Sequence, residues 1–105
     1  MKLDADSTEK RKRAVMDLSV YNALNGARTD LPIDMIVAFL RTAWQPAWGP
    51  VDEVVTDASV TESVGRLRAH KLVGEADGKV TIPVRGFGGV GRPLALNAER
   101  TELLL

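Results

Sequence analysis

Residues 56–73 read TDASVTESVGRLRAHKLV, and this stretch decides the fold. Its apolar residues Val60, Val64, Leu67 and Leu72-Val73 are separated by steps of 4, 3 and 5. The first two steps keep side chains on one face of a helix, because successive residues turn by about 100°. The last step breaks that face, so the helix ends near His70 and the chain continues into a strand. Asp57 or Ser59 can cap its start. Two short segments follow, VGEA (73–76) and KVTI (79–82), joined by Asp77-Gly78. An Asp-Gly pair between short extended segments predicts a tight hairpin, since both residues tolerate the positive φ that such a turn requires.

Upstream, Gly49-Pro50 opens a short helix, VDEVV (51–55). Before it, IDMIVAFLRTAW (33–44) carries Ile33, Ile36, Val37, Leu40 and Trp44 at helical spacing. That helix begins near Asp30-Leu31-Pro32 and ends at Gln45-Pro46. Trp44 and Trp48 flank the bend, either sealing the joint between helices or offering an aromatic pair to a partner. A first helix runs from a cap at Ser7 or Thr8 to Asn25-Gly26, a pair suited to a left-handed helix end. Its apolar residues Met16, Val20, Ala23 and Leu24, with Val15 and Leu18 beside them, cover a broad arc that Asp17 interrupts. A helix apolar over so much of its circumference sits deep or packs against a second copy. Downstream of the hairpin lie the glycine-rich RGFGGVGRP (85–93) and a tail ending in three leucines, which should pack on the domain or on a partner.

Totals bound the answer. At 105 residues, with 45% apolar and 27% charged side chains, the chain is one globular domain. No apolar run approaches the roughly 18–20 residues a spanning helix needs, so no membrane partner is expected. Asp4 and Asp6 stand where a secretory signal would be basic and then apolar. Cysteine is absent, which removes disulfides, cysteine nucleophiles and thiolate metal sites and fits a cytoplasmic location. Fourteen basic and fourteen acidic residues cancel, which counts against nucleic-acid binding in the sum but not in the distribution. Ala58 to Arg92 holds six basic residues (Arg66, Arg68, Lys71, Lys79, Arg85, Arg92) against three acidic (Glu62, Glu75, Asp77). Lys10–Arg13 forms a second basic tract, able to reach phosphates if the first helix runs beside a duplex or simply solvated.

A short helix, a turn, a helix with this apolar spacing and then a hairpin resembles the winged helix-turn-helix superfamily. The resemblance covers about residues 33–96. It implies a mainly α fold with a small β-hairpin wing and an extra N-terminal helix. The domain would span 7–97, with a flexible 1–6, a recognition helix at about 58–70, a wing at about 72–97 and a tail at 98–105. In that superfamily the second helix of the pair enters the major groove and the wing touches the backbone or minor groove.

With Val60, Val64 and Leu67 inward, Thr61, Glu62, Gly65, Arg66 and Ala69 fall on the outer side, with Ser59 and Arg68 at its edges. Arg66 could bond a guanine edge bidentately, and Glu62 could accept from the amino group of cytosine. Ser59 and Thr61 suit contacts near the helix start. Lys71, Arg85 and Arg92 complete the expected DNA-binding set, with the two arginines bracketing a mobile glycine-rich wing tip. The blander alternatives are a solvated face with Glu62 and Arg66 paired at i, i+4, and a merely flexible loop.

Gly86, Gly88 and Gly91 have the spacing of a dinucleotide fingerprint, but Arg92-Pro93 follows where a helix should open. Lone His70 lacks the companions for a metal site. Asp52-Glu53 point about 100° apart and make no convergent acid–base pair. No catalytic residue, metal or cofactor is therefore expected, and the chain reads as a non-enzyme. Two functions remain open. One is a sequence-specific DNA-binding protein, a small transcriptional regulator dimerising through the N-terminal helix. The other is a winged-helix protein–protein interaction module, to which the neutral charge, Glu62, the tryptophan pair and the leucine tail point.

Overall fold

The computed structural model describes residues 5–105, so the expectation of a flexible 1–6 falls largely outside the described residues. Four helices lead into a small hairpin: α1 (Ala5–Ala27), α2 (Ile33–Ala43), α3 (Val51–Val54), α4 (Asp57–Ala69), β1 (Gly74–Ala76) and β2 (Lys79–Thr81). A second hairpin, β3 (Ala95–Leu96) and β4 (Leu103–Leu104), closes the chain. The protein is thus mainly helical with a small antiparallel hairpin.

One apolar cluster unites the helices with the first hairpin. Val20, Tyr21 and Leu24 of α1 meet Ile36 and Leu40 of α2, Val60, Val64 and Leu67 of α4, and Val80 of β2. Each fully buried aliphatic side chain contributes about 1.5–3 kcal/mol, so the inward stripe of α4 alone is a large share of the stability of a domain this small. Val60 and Leu67 are fully buried and Val64 nearly so, as the spacing requires.

The hairpin forms where Asp77-Gly78 predicts it. Asp77 (φ 53°) and Gly78 (φ 75°) take the two positive-φ positions of the turn, and Ala76 pairs with Lys79 and Glu75 with Val80. A third segment joins this ribbon. Between α1 and α2, Leu31 exchanges backbone hydrogen bonds with Val80, at 2.7 and 3.2 Å, as an antiparallel bridge. Leu31 therefore belongs to the sheet rather than to a helix start, and α2 begins only after Pro32.

Two local expectations are corrected. The first helix passes through Asn25-Gly26 to Ala27, and Arg28 (φ 58°) takes the left-handed position, its N–H reaching the Leu24 carbonyl. α4 is capped by Thr56, neither Asp57 nor Ser59. The Ser59 amide donates to Thr56 Oγ1 (3.1 Å) while the Thr56 amide donates to Ser59 Oγ (3.0 Å), a reciprocal capping box. At the other end of α4, Lys71 (φ 60°) holds the left-handed position that glycine usually fills. Leu72 and Lys71 amides reach back to the carbonyls of Leu67 and Arg68, and this Schellman closure turns the chain into β1.

The C-terminal hairpin lies along α1. Leu94 and Leu103 pack on the core, and Arg11 donates to the Glu99 carbonyl. Leu103 thus meets the expectation for the leucine tail, while Leu104 and Leu105 remain exposed. Trp44 and Trp48 meet edge to face at 5.1 Å, and Trp44 packs on the core, so the pair does seal the bend between α2 and α3. Among the described residues no helix is long and apolar enough to cross a membrane.

Candidate nucleic-acid interface

The outer side of α4 presents Ala58, Thr61, Glu62, Gly65, Arg68 and Ala69 to solvent. A Cβ placed on Gly65 would meet nothing within 4 Å, so the face is open at its middle. Beside it the β1–β2 turn exposes Asp77, Gly78 and Lys79. Short side chains along a helix next to a projecting turn form a surface that a groove of a larger molecule can approach closely.

Arg66 does not belong to this surface. It faces α1, where its Nη2 donates to Asp17 Oδ1 at 2.8 Å and its Nε to Oδ2 at 3.1 Å, a two-pronged pair. Ser63 Oγ donates to the same Oδ1 at 2.7 Å. Asp17 is only 8% exposed. The polar residue that breaks the apolar arc of α1 is therefore the anchor for Arg66 and Ser63, and the expected base-reading role of Arg66 gives way to helix–helix clamping. Its partner is Asp17, not Glu62.

Two further members of the expected set are committed to internal contacts. Ser59 Oγ donates to the Val54 carbonyl (2.7 Å) within the capping box. Arg85, with its side chain 17% exposed, donates from Nη1 to the Gly89 carbonyl at 2.8 Å and lies 3.7 Å from Asp30 through Nη2. Arg68 remains on the surface and pairs with Glu75 of β1 at 3.4 Å, both side chains about half exposed. Thr61, Glu62, Lys71 and Arg92 are exposed. Lys71, just past the end of α4, and Arg92 both line a groove of about 400 Å³ that Val84 and Val90 also border.

The glycine-rich segment, expected as a mobile wing tip, is fastened to α1 at its C-terminal end. Asn25 of α1 accepts from the Gly91 amide at 2.7 Å, and Tyr21 Oη donates to the Arg92 carbonyl at 2.7 Å. Gly91 is buried, and a Cβ there would sit 2.7 Å from Tyr21 Oη and 3.0 Å from Ile82, so only glycine fits. Burial raises the Tyr21 phenol above its ordinary value of 10.0, with the nearby Arg92 and Arg85 charges opposing that rise. The projecting hairpin is accordingly residues 74–81, shorter than the expected 72–97.

These placements change the electrostatics. Between Asp57 and Thr81 the exposed charges are Arg68, Lys71 and Lys79 against Asp57, Glu62, Glu75 and Asp77. The basic excess counted along the sequence is absent from this face because Arg66 and Arg85 are committed to internal partners, Arg92 lies outside it and Asp57 adds a negative charge. The Lys10–Arg13 tract is partly committed too, with Arg11 on Glu99 and Lys12 3.6 Å from Glu9. Lys79, at the turn, is the one cation of the surface that the sequence-derived site left out; its place next to Asp77-Gly78 was the available signal. Among the described residues, no group of three or more His, Cys, Asp or Glu side chains is placed to hold a metal ion. Comparisons with protein-family models, with curated proteins and with solved structures give no match.

Proposed function

We propose that the chain is a winged helix-turn-helix domain that binds double-stranded DNA, α4 entering the major groove and the 74–81 hairpin lying beside it. The observation that carries this reading is the element order: a helix, the single bridging residue Leu31, two helices, then α4 and a hairpin whose Val80 pairs with Leu31. That bridge fixes the hairpin against the helices, next to a helix whose outer side holds only small residues, Thr61, Glu62 and Arg68. Thr61 and Glu62 are then the groove-facing contacts, and Arg68, Lys71 and Lys79 the cations available to phosphates. A small cytoplasmic transcriptional regulator without enzymatic activity is the role this reading favours.

A second reading, a protein-binding domain of the same architecture, is favoured by one observation: three basic against four acidic charges on the exposed α4 and hairpin surface. Salt dependence separates the two. Three phosphate contacts predict a log–log slope of about −3, or roughly a 40-fold loss of affinity between 50 and 200 mM salt. Fluorescence anisotropy of a labelled mixed-sequence duplex measures it. No association even at the lower salt would leave the protein-binding reading.

A further inference from the structure

We propose that the solvent side of α2, with the groove it forms against α1, is a homodimer surface on which α2 packs antiparallel against α2 of a second copy.

α2 is apolar on two sides. Ile36, Val37 and Leu40 are buried in the core. Met35, Ala38, Phe39 and Thr42 face solvent, Met35 45% and Phe39 48% exposed. These four positions follow the i, i+3, i+4, i+7 spacing by which a helix buries a face against another element. Next to Phe39, α1 and α2 border a groove of about 580 Å³ lined by Ser19, Ala23, Gly26, Ala43, Trp44 and Trp48. The α1 wall brings no Asp, Glu, Lys or Arg anywhere from Leu18 to Ala27, in a chain of which 27% is charged. Trp44, at the groove, has a buried indole N–H without an acceptor among the described residues. Missing charge together with methionine and aromatic side chains is the composition of an interface core.

The charges that remain select a second copy as the occupant. Asp34 and Arg41 are the only charged residues of α2, and Arg41, exposed at the surface, donates from Nε to the Val55 carbonyl at 3.1 Å, which fixes the side on which its guanidinium is offered. They stand seven residues apart, hence on one flank about two turns from each other, with the small Ala38 midway. A two-fold axis near Ala38 relating antiparallel helices sets each Asp34 against Arg41 of the second copy, so both pairs form at once, as an isologous contact requires. Ala38 permits close approach at the crossing. Phe39 lies on the other flank, where it and its groove meet their symmetry mates. The dimerisation expected from the first helix thereby shifts to α2, with α1 supplying the groove wall.

Sedimentation equilibrium of the full chain without DNA tests this, over about 1 to 100 µM. The wild type is expected at twice its 11.4 kDa mass, and Phe39→Glu at the mass of one chain with an unchanged far-ultraviolet circular dichroism spectrum. Asp34→Arg and Arg41→Asp each place like charges opposite one another and should raise the dissociation constant about tenfold or more. An equal mixture of these two variants should recover association, because every substituted position then faces the opposite charge. A wild type that stays monomeric throughout overturns the proposal. So does a dimer indifferent to Phe39→Glu, or a mixture that associates no better than either variant alone.

Discussion

Two surfaces meet along α4, and arginines from one short run of sequence end on both. On the side toward α1, Arg66 and Ser63 converge on Asp17, and a little further along α1 the backbone is held by Asn25 at Gly91 and by Tyr21 at Arg92. On the side toward the hairpin, Arg68 meets Glu75 at the surface, and Thr61, Glu62 and Gly65 face open solvent. What separates Arg66 from Arg68 is the presence of a carboxylate on the neighbouring helix within the reach of one and not the other. A nearly buried carboxylate left without its cation is costly, whereas an exposed pair contributes about 0–1 kcal/mol. The first surface holds the fold, and the second stands open to solvent.

The largest expected effect comes from breaking the first surface. Arg66→Ala removes the cation from Asp17 and should destabilise the protein by about 3 kcal/mol in urea unfolding. Replacing the pair together, Asp17→Leu with Arg66→Met, should recover part of that loss, because the desolvation cost of both charges disappears while the buried Ser63 hydroxyl loses its acceptor. A double variant as unstable as Arg66→Ala would show that the clamp does not act as an ion pair. Gly91→Ala comes next, at about 1–3 kcal/mol, since its methyl has no room beside Tyr21 and Ile82. An unchanged melting temperature there would mean that the glycine-rich segment is not anchored on α1. The smallest effect on stability belongs to Arg68→Ala, within about 0.5 kcal/mol, because it loses only a half-exposed pair. Its consequence should fall on binding, flattening the salt slope for duplex DNA by about 1.

The same contrast explains what the sequence could reveal. The hairpin and the inward stripe of α4 are encoded locally: Asp77-Gly78 dictates a turn, and Val60, Val64 and Leu67 need only helical periodicity to find the core. Asp17 announced itself as a polar break in an apolar arc, but its partner is 49 residues away, and nothing in either segment links them. The glycine-rich segment had the look of a loose loop because its anchors, Tyr21 and Asn25, lie 66 or more residues upstream. Counting charges along Ala58–Arg92 overstated the basic surface for the same reason, since periodicity put Arg66 on the outer side of α4 and could not say which neighbour waited beside it. The Leu31–Val80 bridge was equally hidden, two residues forming one strand contact across the chain.

On the proposed function, the outer side of α4 and the 74–81 hairpin receive a DNA duplex, while the surface held on α1 only supports them. Backbone amide chemical-shift mapping of isotopically labelled protein, titrated with a duplex at low salt, tests it most directly. Shifts are expected to concentrate in residues 57–71 and 74–81, with residues 86–91 of the anchored segment unmoved. Shifts confined to the glycine-rich segment or to residues 35–43 of α2, with α4 silent, would contradict it.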